Sequence, residues 1–510
     1  MSLKKTNIKL RATVVCSLVG AVATAQQPDP RPNILFIMAD DHTSQAISAY
    51  GGFLAPYMPT PNIDRIAGEG VRMDNCFVTN SISTPSRACI ITGQYSQKNG
   101  VYTLDDALDA NRPTVAKELQ AAGYQTAIIG KWHLGTEPQG FDFYNIFPGQ
   151  GRYQNPTLIR KGDWQAGKGG KPKETGYKGH STDIVTDQTL EYLQTADRSK
   201  PFFVMCHFKA PHDPWDAAKR FDHLLENDTL PEPANMLDSY EGKGAYTKQL
   251  TNGLEDMYML PKGASASLSR NEKRRWNYQI YMKKYLRCIA GIDENVGRLL
   301  DYLDSAGLAE NTIVIYTGDQ GFFLGEHGWY DKRLMYEECL RMPLLIRYPK
   351  EIKPHTVNKD MILNLDFAPL FLDYAGFPQP GYMQGESFRK NLEGKTQRKW
   401  RKSMYYRYWM NNDIWHHIPA LYGIRTERYK LVYYYSQTLG MAGAHENNLS
   451  PEWELYDLKT DPAEMRNLYD DPKYAKLIKK LKKELLKLKE KYGDTDDKYP
   501  IMKEIDDKYW

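Results

Sequence analysis

Cysteine is scarce in this chain, with six residues in 510, at positions 16, 76, 89, 206, 288 and 339. Their spacing shows no pairing pattern. The five that remain after residue 16, discussed below, cannot all pair within one chain. Most sit in apolar runs, so buried thiols are expected. A strong charge of either sign is also missing, because 67 basic against 63 acidic residues leaves +4. That argues against bulk attraction to nucleic acid or to a membrane surface, and any basic site must be local. Internal repeats are absent, and past the N-terminus no apolar run is long enough to span a bilayer.

What is present is ordinary globular material, 41% hydrophobic and 25% charged, on a chain long enough for more than one core. The N-terminus stands apart. Lys4, Lys5, Lys9 and Arg11 precede an apolar run ending Ala23-Thr24-Ala25. This is the pattern of a secretory signal peptide over residues 1–25, with Cys16 inside it, and it is too short to span a membrane. Export, to a bacterial periplasm, is therefore expected.

Buried strands are expected at Asn33–Met38, Gln125–Ile129, Pro201–Cys206, Thr312–Thr317 and Pro343–Arg347, each a short apolar run. Helical patterns lie at Pro61–Gly70, Thr114–Ala122, Ser181–Leu193, Asn271–Leu303 and Asp366–Gly376. The glycine-rich, basic and aromatic stretch from Phe141 to about Tyr177 reads as long loop near a site mouth. Residues Glu226 to about Arg270 read as a polar surface excursion. From about residue 395 the pattern changes to short strands at Tyr405–Tyr408, Tyr422–Thr426, Tyr429–Tyr435 and Glu454–Leu458. A helix over Tyr474–Leu488 follows, apolar on one stripe between lysines. Those lysines suit a solvated face, with a heparin-like patch as the sharper alternative.

The polar residues cluster at strand ends. Asp40-Asp41 follows the first strand and Asp319-Gln320 the fourth, and adjacent carboxylates call for a cation. Open α/β sheets place ligands at that edge. Lys131 and His133 follow the second strand as alternate residues, which point the same way in an extended segment and can converge on one anion. The run Ser83-Thr84-Pro85-Ser86-Arg87 begins a helix, since Pro85 suits a first turn. Residue 83 then sits at the helix N-terminus, where free N–H groups favour an anion, and Arg87 lies one turn on. His212 ends the segment after the third strand and is the functional candidate there, with His207 the structural one.

Taken together, Ser83-x-Pro85-x-Arg87 with Thr92-Gly93, Gly130-Lys131-x-His133-x-Gly135, Pro211-His212, Gly318-Asp319-Gln320-Gly321, Lys332 and Tyr336-Glu337-Glu338 resemble the type I sulfatases, in the family's order and over nearly the whole mature chain. The resemblance implies an alkaline-phosphatase-like α/β fold. Its large mixed, mostly parallel sheet is flanked by helices over residues 30–394, and a smaller subdomain with antiparallel sheet and helix spans 395–510. It implies that Ser83 is oxidised to formylglycine (3-oxoalanine) by a serine-type sulfatase maturation enzyme. Asp40, Asp41, Ser83, Asp319 and Gln320 would hold Ca2+, with Mg2+ as the alternative for an all-oxygen set. In that scheme a gem-diol oxygen of residue 83 attacks sulfur and the alcohol leaves. Arg87, Lys131 and Lys332 share the sulfate charge, His133 orients or deprotonates the nucleophile, and His212 is the general acid, assisted by Lys332.

The substrate is less sharply marked. Segments Pro148–Pro156 and Tyr422–Leu431 look most like bacterial N-acetylglucosamine-6-sulfatases, implying a 6-O-sulfated hexosamine of heparan sulfate, heparin or a related glycan. N-sulfoglucosamine or uronate 2-O-sulfate are alternatives, as are a phosphodiesterase or phosphonate hydrolase of the same fold and an inactive sulfated-glycan binder. Trp415, His416, His417 and Arg152 are the candidate sugar contacts. The aromatic run Tyr405–Met410 and Tyr153 fit either a sugar platform or core packing.

Overall fold

The computed structural model describes residues 29–165, 171–257 and 267–510. The expected signal segment, with Cys16, lies outside the described residues. Ten strands form one sheet, in the spatial order Thr356–Asn358, Val71–Met73, Leu344–Arg347, Thr312–Gly318, Asn33–Ala39, Phe202–Phe208, Gln125–Gly130, Phe143–Ile146, Thr157–Arg160 and Thr175–Gly176. The five strands from Thr312–Gly318 to Phe143–Ile146 run parallel, and Leu344–Arg347 runs antiparallel to its central neighbour. This is the mixed, mostly parallel sheet expected, with a separate antiparallel sheet near the C-terminus.

Every residue of the Asn33–Ala39 and Thr312–Gly318 strands is buried, because both faces of the sheet are covered. Alternation along the first strand divides the core. Ile34, Phe36 and Met38 join one apolar cluster, and Leu35, Ile37 and Ala39 the other.

Register aligns the ends that matter. Ala39 pairs with Phe208 and with Gly318, and Gly130 pairs with His207. The next residues along, Asp40, Asp319 and Lys131, therefore leave the sheet side by side. Gly130 has φ +98°, and a Cβ there would lie 2.0 Å from the His207 carbonyl oxygen, so only glycine lets the chain pass.

A 36-residue helix, Arg270–Ser305, starts at a capping box of Ser269 and Glu272. It runs roughly 54 Å at 1.5 Å per residue, and three of its contacts tie it to the site and the scaffold around it. Tyr281 Oη donates to the Phe323 carbonyl (3.0 Å), Tyr285 Oη to the Asp41 carbonyl (2.7 Å), and Asp293 accepts from the Ile63 amide (2.8 Å) at the start of the Pro61–Gly68 helix.

Ser403–Tyr408, Leu421–Thr426, Tyr429–Tyr434 and Glu452–Asp457 form the four-stranded antiparallel sheet, with the Ala475–Lys491 helix against it. A further helix, Pro500–Tyr509, was not read from the sequence. The small sheet shares a continuous core with one face of the large one, through residues such as Tyr95 and Tyr405.

One sequence reading needs correction, and one left open is decided. The stretch from Phe141 to Tyr177 is not simply loop, since it supplies three short strands that extend the main sheet. Strands of two to four residues between glycines and lysines are too short to show an alternation. The run Tyr405–Met410 is core rather than a sugar platform, because Tyr405, Tyr406, Tyr408 and Trp409 have no solvent exposure. The five cysteines of the described residues are all buried and free, as expected. Among the described residues no helix is long and apolar enough to cross a membrane.

Candidate active site

Ser83 opens a helix that is buried along its whole length, Ser83–Thr92. Its hydroxyl, 1% exposed, donates to Asp40 Oδ1 at 3.2 Å. Arg87, one turn further on, reaches back with three nitrogens. Nε and Nη2 bind Asp319 Oδ2 at 3.1 and 2.9 Å, Nη1 binds the Lys131 carbonyl at 2.8 Å, and Nη2 also lies 3.4 Å from Asp40 Oδ1. Lys131 Nζ donates to Asp40 Oδ2 and, at 2.5 Å, to Gln150 Oε1. Lys332 Nζ and the Gln320 amide nitrogen both donate to Asp41 Oδ1.

Adjacent residues in an extended chain point to opposite sides. Asp40 and Asp41 nonetheless face one point, because Asp41 adopts the left-handed conformation, φ +66°. Oxygens of Asp40, Asp41 and Asp319 come within 4.8 Å of one another in the interior. The electrostatics are divided. Burial raises Asp40, but Lys131, His212, Arg87 and Lys332 outweigh it and hold the carboxyl well below its usual range. Burial and then the charge on Asp40 push Asp319 up to about 6. Gln320 Oε1 is buried with no hydrogen-bond partner. Three converging carboxylates, one of them strained by its neighbour's charge, and an orphaned amide oxygen are a donor set that fits a hard divalent cation.

His133 lies on the other flank, in a left-handed conformation (φ +58°), with Nδ1 3.3 Å from Thr84 Oγ1. Burial first, then the Lys131 and Arg87 charges, depress its pKa well below the ordinary value, so the ring is neutral. His212 enters from the segment after Phe202–Phe208. Its Nδ1 is 2.6 Å from Asp213 Oδ1, and its Nε2 faces inward, 3.8 Å from Asp41 Oδ2. His207 stays within its strand, with Nδ1 3.0 Å from the Lys131 carbonyl oxygen.

A cavity of about 450 Å³ opens above Ser83, Asp41, Lys332 and His212. Trp415, 69% exposed, and His416 stand on its wall. His417 does not line it; its Nδ1 is 3.1 Å from Asn412 Oδ1. Arg152 borders a smaller cavity of about 320 Å³ that shares only Gln150 with the first. Sequence reasoning missed Gln150, Asp213, Asp331 and Arg333 on the pocket wall. Asp331 and Arg333 pair with each other and are both buried. The available signal was the charged triplet Asp331-Lys332-Arg333, read only for its lysine.

Comparison with known proteins bears on these features. The family model described as Sulfatase matches residues 32–377, and the one described as N-sulphoglucosamine sulphohydrolase, C-terminal, matches residues 325–491. The chain is 42% identical to an N-acetylglucosamine-6-O-sulfatase of Bacteroides thetaiotaomicron, over 94% of this chain and 90% of the relative. A solved structure of a protein in complex with its substrate D-glucosamine-2-N,6-O-disulfate matches with a TM-score of 0.82 at 41% identity, over 92% of this chain and all of that one. A phosphonate monoester hydrolase from Silicibacter pomeroyi matches with a TM-score of 0.71 at 19% identity, a likeness of fold alone.

Proposed function

The chain belongs to the sulfatase family and is a sulfuric ester hydrolase, and from that premise we propose that it removes 6-O-sulfate from N-acetylglucosamine or glucosamine in glycosaminoglycan-type saccharides. The observation that carries the chemistry is that Arg87, Lys131 and Ser83 meet at the Asp40 carboxylate, while Lys332 lines with Ser83 a cavity large enough for one sugar. The choice of sugar is supported by the printed activity of the 42% identical relative and by the disulfated glucosamine bound in the neighbouring structure.

A divalent cation, calcium by family habit, would be held by Asp40, Asp41, Asp319 and Gln320 with residue 83, and together with formylglycine made from Ser83 would supply the activated nucleophile and neutralise sulfate charge. The rest of the mechanism belongs to this chain's own side chains. Arg87, Lys131 and Lys332 offer fixed donors to the sulfate oxygens in a site screened from water, where such donors act most strongly. Neutral His133 is set to orient the side chain at position 83 or take its proton. His212, its Nδ1 tied to Asp213, presents Nε2 to the leaving sugar oxygen and delivers a proton there. Lys332 lies on the same side and assists. Trp415 offers a face for the sugar ring.

This reading includes export through the N-terminal segment and maturation by a serine-type enzyme. The test uses protein matured in a serine-oxidising host and a panel of monosulfated saccharides, read by sulfate release. The 6-sulfate of N-acetylglucosamine should be preferred, and Ser83→Ala should abolish turnover. Preference for a 2-O- or N-sulfate would refute the sugar assignment, and normal activity in Ser83→Ala would refute the nucleophile.

A further inference from the structure

Residues 213, 214 and 216 of the segment that carries His212 are exposed, yet three buried polar side chains hold its backbone. Tyr153 Oη donates to the His212 carbonyl, Lys209 Nζ to the Asp213 carbonyl at 3.2 Å, and His180 Nε2 to the Asp216 carbonyl at 2.9 Å. The His180 tautomer follows from its other contact, since Nδ1 accepts from the Thr182 amide at 3.3 Å and the proton is therefore on Nε2. Tyr153, His180 and Lys209 are 3%, 7% and 4% exposed, whereas residues 213, 214 and 216 face solvent.

The three anchors also pack on one another. The rings of Tyr153 and His180 stack with centroids 5.5 Å apart, and Lys209 Nζ lies 5.0 Å over the Tyr153 ring. Among the described residues no carboxylate lies within ion-pair distance of Lys209. Burying a cation in that way is costly, and its donors here go to a carbonyl and an aromatic face instead.

We propose that Tyr153, His180 and Lys209 form a bracket whose task is to position His212, so that Nε2 stays aimed into the pocket while the outer side of the segment meets solvent. They are positioning residues, since none lines the cavity above Ser83. Two of them come from the excursion between Ile146 and Ser181, which gives that excursion a catalytic purpose. A general acid displaced by about 1 Å loses much of its effect, and loss of a hydrogen bond that holds it translates into rate rather than binding.

The inference rests on the reading of His212 as general acid, and the test separates the two. Tyr153→Phe keeps the ring and its stacking and removes only the hydroxyl. With N-acetylglucosamine 6-sulfate and matured enzyme, kcat should fall about tenfold while KM stays within twofold. Because the bracket acts through His212, Tyr153→Phe should cost nothing further in a His212→Gln background. A Tyr153→Phe kcat within twofold of wild type, a rise in KM alone, or the same loss on top of His212→Gln would overturn the bracket. A wild-type kcat in His212→Gln would instead refute the general acid, and the bracket with it. Should His212→Gln fall below detection, the split between kcat and KM in the single variant decides. Lys209→Met provides the second variant and should show the same split.

Discussion

Replacing Arg87 with lysine keeps the charge and removes the shape. The guanidinium makes four contacts to three acceptors at once, namely Asp319 Oδ2 from two nitrogens, the Lys131 carbonyl, and Asp40 Oδ1. A single ammonium on a shorter stem can reach one of the carboxylates but cannot span to the Lys131 carbonyl as well. That carbonyl is buried, and the residue that bears it is itself one of the cations proposed to hold sulfate. Hydrogen bonds to charged groups contribute about 1.5–3 kcal/mol each, so two lost at the low end of that range amount to about 3 kcal/mol. At 1.36 kcal/mol per factor of ten this is a loss of roughly 100-fold in kcat/KM. Initial rates of sulfate release, with circular dichroism to confirm folding, read the outcome. A folded Arg87→Lys enzyme within threefold of wild type would mean that positive charge alone suffices and that the forked geometry described above is incidental.

Trp415→Ala should raise KM about fivefold, in line with about 1 kcal/mol of ring contact, and leave kcat and Tm unchanged, because the indole is mostly in solvent; calorimetry beside steady-state kinetics checks both halves. Dialysis against a chelator should remove activity and lower Tm, with calcium restoring both. Gln320→Ala, which deletes the orphaned oxygen, should weaken calcium binding about tenfold by titration calorimetry. Asp293 is raised from 3.8 to about 6, chiefly by burial and despite the amide hydrogen bonds from Ile63 and Asn62. The fold therefore favours the protonated form. The associated stability, roughly 3 kcal/mol at most, is complete below about pH 4 and is lost as pH climbs through 6. Asp293→Asn should flatten that decline, and thermal melts of both proteins between pH 4 and 7 would show parallel curves if the reasoning is wrong.

The polar centre was legible because it is written next to buried strands. Asp40-Asp41, Asp319-Gln320 and Lys131-x-His133 each follow an apolar run, and a parallel sheet must gather such ends at one edge. The walls were not legible. Gln150 belongs to a turn after a four-residue strand, too short to announce itself, and reaches Lys131 only because that strand docks beside Gln125–Gly130. Arg333 looks like a solvated loop residue in sequence; only the fold buries it against Asp331, with Asp413 3.8 Å away. Tyr405–Met410 was undecidable for a different reason. Its aromatic content fitted a platform or a core equally well, and the choice was made by the Ser83 side of the molecule, which covers it through the Ser81 amide to Tyr406 Oη bond (3.2 Å). Local pattern fixes which residues can do chemistry, whereas long-range packing decides which of the others stand beside them.

The long Arg270–Ser305 helix has a mechanical consequence. One rod clasps the Asp41 peptide near its middle and, two turns further along, the first turn of another helix. An ion held by the proposed ligand set would therefore also bear on the rod that fixes the start of the Pro61–Gly68 helix. The two contacts lie about 12 Å apart along the rod, so the edge that carries Asp41 and the scaffold behind it are joined through one element.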